Sequence, residues 1–294
     1  MLADMTGSTH TAKHTRRDPD AGRRLARLDD GDIRVVEDGK PDAPALVLLS
    51  NAAVPLALWD AVVPLLADGF RVIRVDLPGP GKRASAAGEY DIPAQARRVG
   101  AALDKLGVNR VTVIGHSSGC TVATSLAEQR PGAVAALALI DMGPDPDAKI
   151  PENRIFSLIL ARLIGPVLWR LKTEATIRKA ARTGFARPVD IPDAFIKHVL
   201  GMTHRSFAGA MRAPLDYLGR RSLPDRLTGL GLPVLVIFGS DDQRWRSSSA
   251  AAYTVVPGAR VELLAGVGHT PMMEDPHTTG KLLLDFAAAA GHHN

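Results

Sequence analysis

Val111-Thr112-Val113-Ile114-Gly115-His116-Ser117-Ser118-Gly119-Cys120 is the stretch that decides how the rest of the chain is read. The β-branched apolar run Val111 to Ile114 predicts a buried parallel strand, and it leads directly into a G-x-S-x-G pentapeptide, Gly115 to Gly119. A helix of small residues is expected at once, from Thr121 to Gln129. The turn joining them must be so tight that the serine takes a strained backbone, and glycines two before and two after it remove Cβ atoms that would collide. Ser117 is therefore expected at the carboxyl end of a central strand. Its Oγ would lie beside the free N–H groups and positive dipole end of the following helix. The pentapeptide alone also arises by chance in turns that serve only packing. Its flanks, and partners elsewhere in the chain, carry the functional reading.

Working outward, Ala45 to Ser50 and Phe70 to Val75 are further apolar strands, and Leu58, Trp59, Val62, Val63 and Leu66 recur between them at helical spacing. Pro93 to Leu106 predicts an amphipathic helix with Ala96, Val99, Leu103 and Leu106 inward and Gly107 as its stop. Val134 to Asp141 is the strand after the Ser117 helix. This alternation implies a parallel sheet with right-handed crossovers and helices on both faces. Ahead of it, Arg24 to Glu37 reads as an antiparallel hairpin bounded by Asp-Gly pairs. Gly79-Pro80-Gly81-Lys82-Arg83-Ala84 imitates a dinucleotide-binding fingerprint. Pro80 and Lys82 do not open a helix, and the acidic residue that should end a following strand is missing, so that reading is rejected.

Asp145 to Ser222 breaks the alternation, offering helical periods without strands at Ile155 to Leu171, Thr173 to Thr183, Pro192 to Leu200 and Phe207 to Leu218. Such an insert after a strand at the carboxyl edge would lie over the crevice as a lid. Leu232 to Gly239 and Arg260 to Leu264 resume the sheet, and Thr278 to Ala290 closes it with a helix. The expected organisation is a disordered basic tail at 1–22, a core at 23–144 and 223–294, and a helical cap at 145–222.

A chain of 294 residues, 46% hydrophobic, can bury a large core. Its single cysteine, Cys120, excludes a disulfide framework and a cysteine-based zinc site and fits a small buried filler. No secretory segment or long apolar run is present, so a soluble cytoplasmic protein without an integral membrane segment is expected. Of the net charge of +5, residues 151–222 hold 13 Lys/Arg against 5 Asp/Glu, leaving the remainder net negative. That insert has no aromatic interleaving or nucleic-acid motif, and nucleic acid is not expected as a partner. Its charge reads as a solvated face or as an attraction for acidic substrates or a membrane surface.

The strand order, the elbow GHSSG, a strand ending in Gly239-Ser240-Asp241-Asp242 and the run GVGHTPMMEDP before the last helix together resemble the α/β-hydrolase superfamily, over nearly all the chain beyond the tail. The resemblance implies an α/β-hydrolase fold, a mostly parallel eight-stranded sheet with helices on both faces and a helical lid. It also implies the order serine, acid, histidine. His269, on the loop after the last strand, stands where the family places the base, and register with Gly239 selects Asp242 over Asp241 as the acid. Asp141, ending an earlier strand, is the alternative acid used by some members. The oxyanion hole would join the Ser118 N–H to one from the loop after Ala45 to Ser50. Relatives carry His-Gly there; this chain has Ser50-Asn51, so the donor falls to Ala52. The run LVLLSNAA with Trp59 is similar to 3-oxoadipate enol-lactone hydrolases, but His116 and Ser118 stand where those enzymes usually have Leu and Met.

A serine needs a base within reach and the base needs an acid to hold its tautomer, and a serine rather than an aspartate at 117 excludes the alkyl-ester chemistry of haloalkane dehalogenases and epoxide hydrolases. The implied function is a serine hydrolase of carboxylesterase or lactonase type acting on a small or medium acyl substrate through an acyl-enzyme. No metal or organic cofactor is called for, and the oligomeric state is left open. The alternatives are hydrolysis of a β-diketone C–C bond or a thioester, and a ligand-binding protein that keeps the fold without catalysis.

Overall fold

The computed structural model describes residues 23–28, 31–77 and 90–291; the tail assigned to 1–22 and the Gly79 to Ala84 turn lie outside the described residues. Strands buried on both faces are apolar along most of their length, and the central sequences are of that kind, with Thr112 and His116 of the fifth strand the buried polar exceptions. The eight strands are β1 (Arg23–Ala26), β2 (Ile33–Asp38), β3 (Ala45–Leu49), β4 (Arg71–Asp76), β5 (Val111–His116), β6 (Val134–Ile140), β7 (Val234–Gly239) and β8 (Arg260–Leu264). They form one sheet in the order β1-β2-β4-β3-β5-β6-β7-β8. The expected hairpin pairs β1 with β2, and β2 continues antiparallel onto β4. All later ladders are parallel. β5, which ends at the elbow, is thus central.

Alternate residues of each central strand feed two separate cores, as a period of two requires. Leu46, Leu48, Ile114, Leu235 and Ile237 point to one face and pack with Trp59 and with helices α1 (Val63–Ala67) and, at the end of the chain, α11 (Pro276–Gly291). Val47, Leu49, Val113, Val236 and Phe238 point to the other. There they meet α2 (Ile92–Lys105) and α3 (Gly119–Gln129). Asp91 caps α2 by accepting from the Ala94 N–H, and Ala96, Val99 and Leu103 form its buried stripe.

Between β6 and β7 run α4 (Arg154–Leu160), α5 (Gly165–Arg170), α6 (Glu174–Arg182), α7 (Asp193–Gly201), α8 (His204–Arg220) and α9 (Leu223–Leu230), with no strand among them. Two expectations need correcting here. The apolar period Ile155 to Leu171 is two short helices, because a proline at 166 has no N–H to give and its ring would strike the carbonyl four residues back; α5 starts at Gly165 instead. For the same reason the period Leu58 to Leu66 is a 3₁₀ turn, Leu56–Trp59, followed by α1, whose first turn holds Pro64. α9, a 3₁₀ segment at Ser247–Val255 and α10 (Pro271–Glu274) were not expected from the sequence. Among the described residues no helix is long and apolar enough to cross a membrane.

Leu48 is fully buried in the core that α1 and α11 cover. Leu48→Ala should lower the unfolding free energy by about 2–5 kcal/mol, through lost transfer energy and the cavity left behind, read as a lower midpoint in urea denaturation with an unchanged slope.

Candidate active site

The backbone at Ser117 is left-handed, with φ of 53°, and is one of two such non-glycine residues in the described chain. A residue that turns the chain there needs clearance on both sides. A Cβ on Gly115 would come within 2.6 Å of the Cys120 nitrogen, and one on Gly119 would fall under 3.0 Å from the Leu49 carbonyl oxygen. The turn is pinned by the Ser117 N–H donating to Ile140 O at 2.8 Å and by Cys120 N–H returning to Ser117 O at 2.9 Å. Burial pushes the Cys120 thiol well up, and its Sγ donates to Gly115 O, so it fills the elbow as a neutral side chain.

His269, on the loop between β8 and α10, brings Nε2 to 3.1 Å from Ser117 Oγ and Nδ1 to 2.9 Å from Asp242 Oδ2. A carboxylate only accepts, so Nδ1 carries the proton and Nε2 is left to receive one from the hydroxyl. Asp242 follows β7, as its register with Gly239 implied. Burial raises its carboxyl, but the His269 imidazole and the N–H groups of Arg244 and Trp245 outweigh that and hold it below the usual carboxylate range.

Asp141, the alternative acid, does not bond His269. It sits at the end of β6 with φ of 49°, and its Oδ1 accepts from the Gly239 N–H at 2.8 Å. Complete burial, and then the neighbouring Asp242 charge, push its carboxyl well above the usual range. Asp141, Asp242 and His269 each bring one potential ligand atom within 4.8 Å of the others, the one group of that kind among the described residues. His269 already bridges Ser117 and Asp242, and Asp141 Oδ1 already accepts from the Gly239 N–H.

Two residues around His269 had no assigned role from sequence. His116 is fully buried, with Trp59 edge-on at 6.4 Å, and burial depresses it to about 3. Neutral, it can only donate from Nε2 to the His269 carbonyl, 2.7 Å away. Glu274 accepts four backbone N–H groups. Those of Ala186, Arg187 and Gly268 meet Oε2 at 2.8–2.9 Å, and that of Thr270 meets Oε1 at 3.2 Å. Glu274 thereby joins the loop carrying His269 to the segment after α6, where Gly184 O also accepts from the His269 N–H. The signal available in the sequence was the quoted run GVGHTPMMEDP, but its glutamate is matched by main-chain donors that no side-chain pattern reveals.

Ser118 and Ala52, the expected oxyanion donors, are both buried. Ser118 is the N-cap of α3. Asn51 shapes the opposite loop, its Oδ1 accepting from Ala53 N–H at 2.7 Å, and His198 of α7 reaches Ala52 O at 3.2 Å. No hydrogen bond among the described residues uses either of the two proposed donors. A cleft of about 590 Å³ lies elsewhere, between α8 and the start of α2; lined by Tyr90, Arg162, Arg205 and Arg212 among others, it touches none of Ser117, Asp242 and His269.

Known proteins share the fold. A model of the Alpha/beta hydrolase family matches residues 51–280. The monoacylglycerol lipase abhd6-A of Xenopus laevis is 26% identical over 271 residues, covering 85% of this chain and 77% of that one. A bacterial membrane phospholipase A has 25% identity and a TM-score of 0.71 over 91% of this chain and 86% of its own. The enol-lactonase of Burkholderia xenovorans LB400, at 22% identity, has the same fold with a TM-score of 0.70, covering 90% of this chain and all of that one. A family match across well over half the sequence and a sheet of this order lead to one conclusion: the chain belongs to the alpha/beta hydrolase family.

Proposed function

We propose that the protein is a serine hydrolase of carboxylic esters or lactones that works through an acyl-enzyme. The observation that carries this reading is the continuous hydrogen-bonded chain from Ser117 Oγ through His269 to the Asp242 carboxylate, at 3.1 and 2.9 Å. In the reading, Oγ attacks the acyl carbonyl while Nε2 takes its proton. Asp242 stabilises the imidazolium without itself taking a proton. Negative charge then collects on the carbonyl oxygen, where the Ser118 N–H, at the positive end of α3, and the Ala52 N–H would meet it. His269 returns its proton to the leaving alkoxide, and water repeats the sequence on the acyl group. The lipase and phospholipase among the similar proteins act on acyl esters by name, which favours an acyl ester over the C–C bond and carries no further substrate detail. The helices between β6 and β7 would act as a cap, since His198, Gly184 and the Glu274 contacts bring them against both loops of the site.

Ser117→Ala should lower kcat/KM on p-nitrophenyl esters by at least ~10⁴-fold and abolish labelling by a fluorophosphonate, with an unchanged melting temperature; retained turnover would overturn the assignment.

Glu274→Ala strands four backbone donors and should cost about 3 kcal/mol or more in stability. In the fraction that folds, kcat should fall more than KM rises, because the His269 loop loses its anchor.

Asp141 has a folded-state value raised above that of an unfolded carboxyl, about 3.9. Its contribution to stability is therefore complete below that pH and is lost as pH rises toward the folded value. Asp141→Asn is uncharged and tolerates a left-handed backbone. It should melt higher than the parent at neutral pH, with the gap closing near pH 4, as followed by calorimetry across pH.

A further inference from the structure

The helices α4 and α5 are short, and each buries little. Gly165 and Trp169 form the inner side of α5. Gly165 lies against Ile159 and His204, and the Trp169 indole N–H donates to Met202 O at 2.8 Å. Phe207 of α8 stacks on Trp169 at 4.4 Å and meets Phe156 of α4 edge-on at 5.9 Å. The opposite side of such a pair is normally polar. Here it is apolar: Ile155 is 69% exposed, Leu163 94% and Leu171 70%, with Leu158, Ile164 and Val167 exposed beside them. These six are most of the large exposed apolar side chains among the described residues. Residues 154–172 hold Arg154, Arg162, Arg170 and Lys172 and no Asp or Glu. The three arginines are exposed, and no ion pair among the described residues engages them.

From this placement we infer that the α4–α5 face docks on an anionic lipid surface, inserting Leu163 and its apolar neighbours below the headgroups while Arg154, Arg162 and Arg170 meet the phosphates. An interfacial site needs an apolar side with a cationic border and no acid to be desolvated, which this segment supplies. A second copy of the chain fits less well, because apposing two such faces would set arginine against arginine. Nucleic acid would leave the apolar side chains in water. The inference stands apart from the ester-hydrolase reading, since none of these residues touches Ser117, His269 or Asp242.

The test is co-sedimentation of the full chain with vesicles of phosphatidylcholine alone and of phosphatidylcholine mixed with phosphatidylglycerol, at low and high salt. Binding should require phosphatidylglycerol and weaken with salt. The pair Leu163→Asp and Val167→Asp should reduce the bound fraction roughly tenfold or more, while circular dichroism and turnover of soluble p-nitrophenyl acetate stay at parental levels. Arg154→Glu with Arg170→Glu should weaken binding in the same vesicles. Ser117→Ala should bind like the parent, so loss of activity and loss of docking are read separately. No binding at low salt, or binding indifferent to the Leu163 and Val167 pair, would overturn the inference. So would a dimer in analytical ultracentrifugation that the same pair dissolves, for a second copy would then be the occupant.

Discussion

Everything in the site depends on the left-handed backbone at Ser117. For a residue with a Cβ that conformation costs about 1–2 kcal/mol, and it persists only where the surroundings over-determine it. They do so here from three strands at once. β5 delivers the chain, β6 accepts the Ser117 N–H through Ile140 O, and the end of β3 lies so close to Gly119 that no side chain fits. The elbow therefore requires the central parallel order, with β3 and β6 on either side of β5. A slip in either register would remove the constraint and with it the placement of the Ser117 hydroxyl against His269.

Around that turn the fold places three carboxyl groups in poor contact with water and resolves each differently. Asp242 stays charged because a histidine and two backbone N–H groups face it. Glu274 has four backbone donors arranged around it, the kind of main-chain concavity that accepts an anion. Asp141 has one donor and the Asp242 charge beside it, and with its complete burial these push its carboxyl well above the usual range. An unpaired buried charge is expensive enough that a group neutralises instead. The opposite shifts of Asp242 and Asp141 follow from their partners, and Asp242 is the carboxylate that bonds His269.

The central strands were legible in the sequence because burial on both faces favours apolar and β-branched residues, so ALVLL, VTVI and VLVIF stand out as runs without a charge. The elbow was legible for a related reason: steric exclusion writes itself as glycine at 115 and 119. The geometry also favours Asp242 over Asp141 as the partner of His269, a choice that the sequence could make only by register with Gly239. The helices at 155–171 were harder, since an apolar period continues through Gly165-Pro166 whether or not the hydrogen-bond ladder does. His116 and Glu274 escaped because their partners are main-chain atoms of residues far away in sequence, and a carbonyl or an N–H leaves no trace in residue type. Exposure was equally hidden: Ile155, Leu158 and Leu163 look like a core stripe until the neighbours are in place.

That last point bears on how the helices between β6 and β7 are held. Their base is tied at three separate loops. Residues 148–150 pair in part with 244–246 beside Asp242, through Ile150 N–H to Arg244 O and Arg246 N–H to Ala148 O. Residues 184–187 bond the His269 loop and Glu274, and His198 meets Ala52. Each tie ends on a loop that carries one of the proposed catalytic groups, so the insert and the chemistry are set in a single frame. The α4–α5 pair lies outside these ties, held by Trp169, Gly165, a few ring contacts and the His204 and Arg212 bonds to the Ile159 and Leu160 carbonyls. A segment with so few buried side chains opens at a smaller free energy than the base it stands on. The apolar and cationic face is thus borne by the part of the insert whose movement would disturb the proposed catalytic groups least.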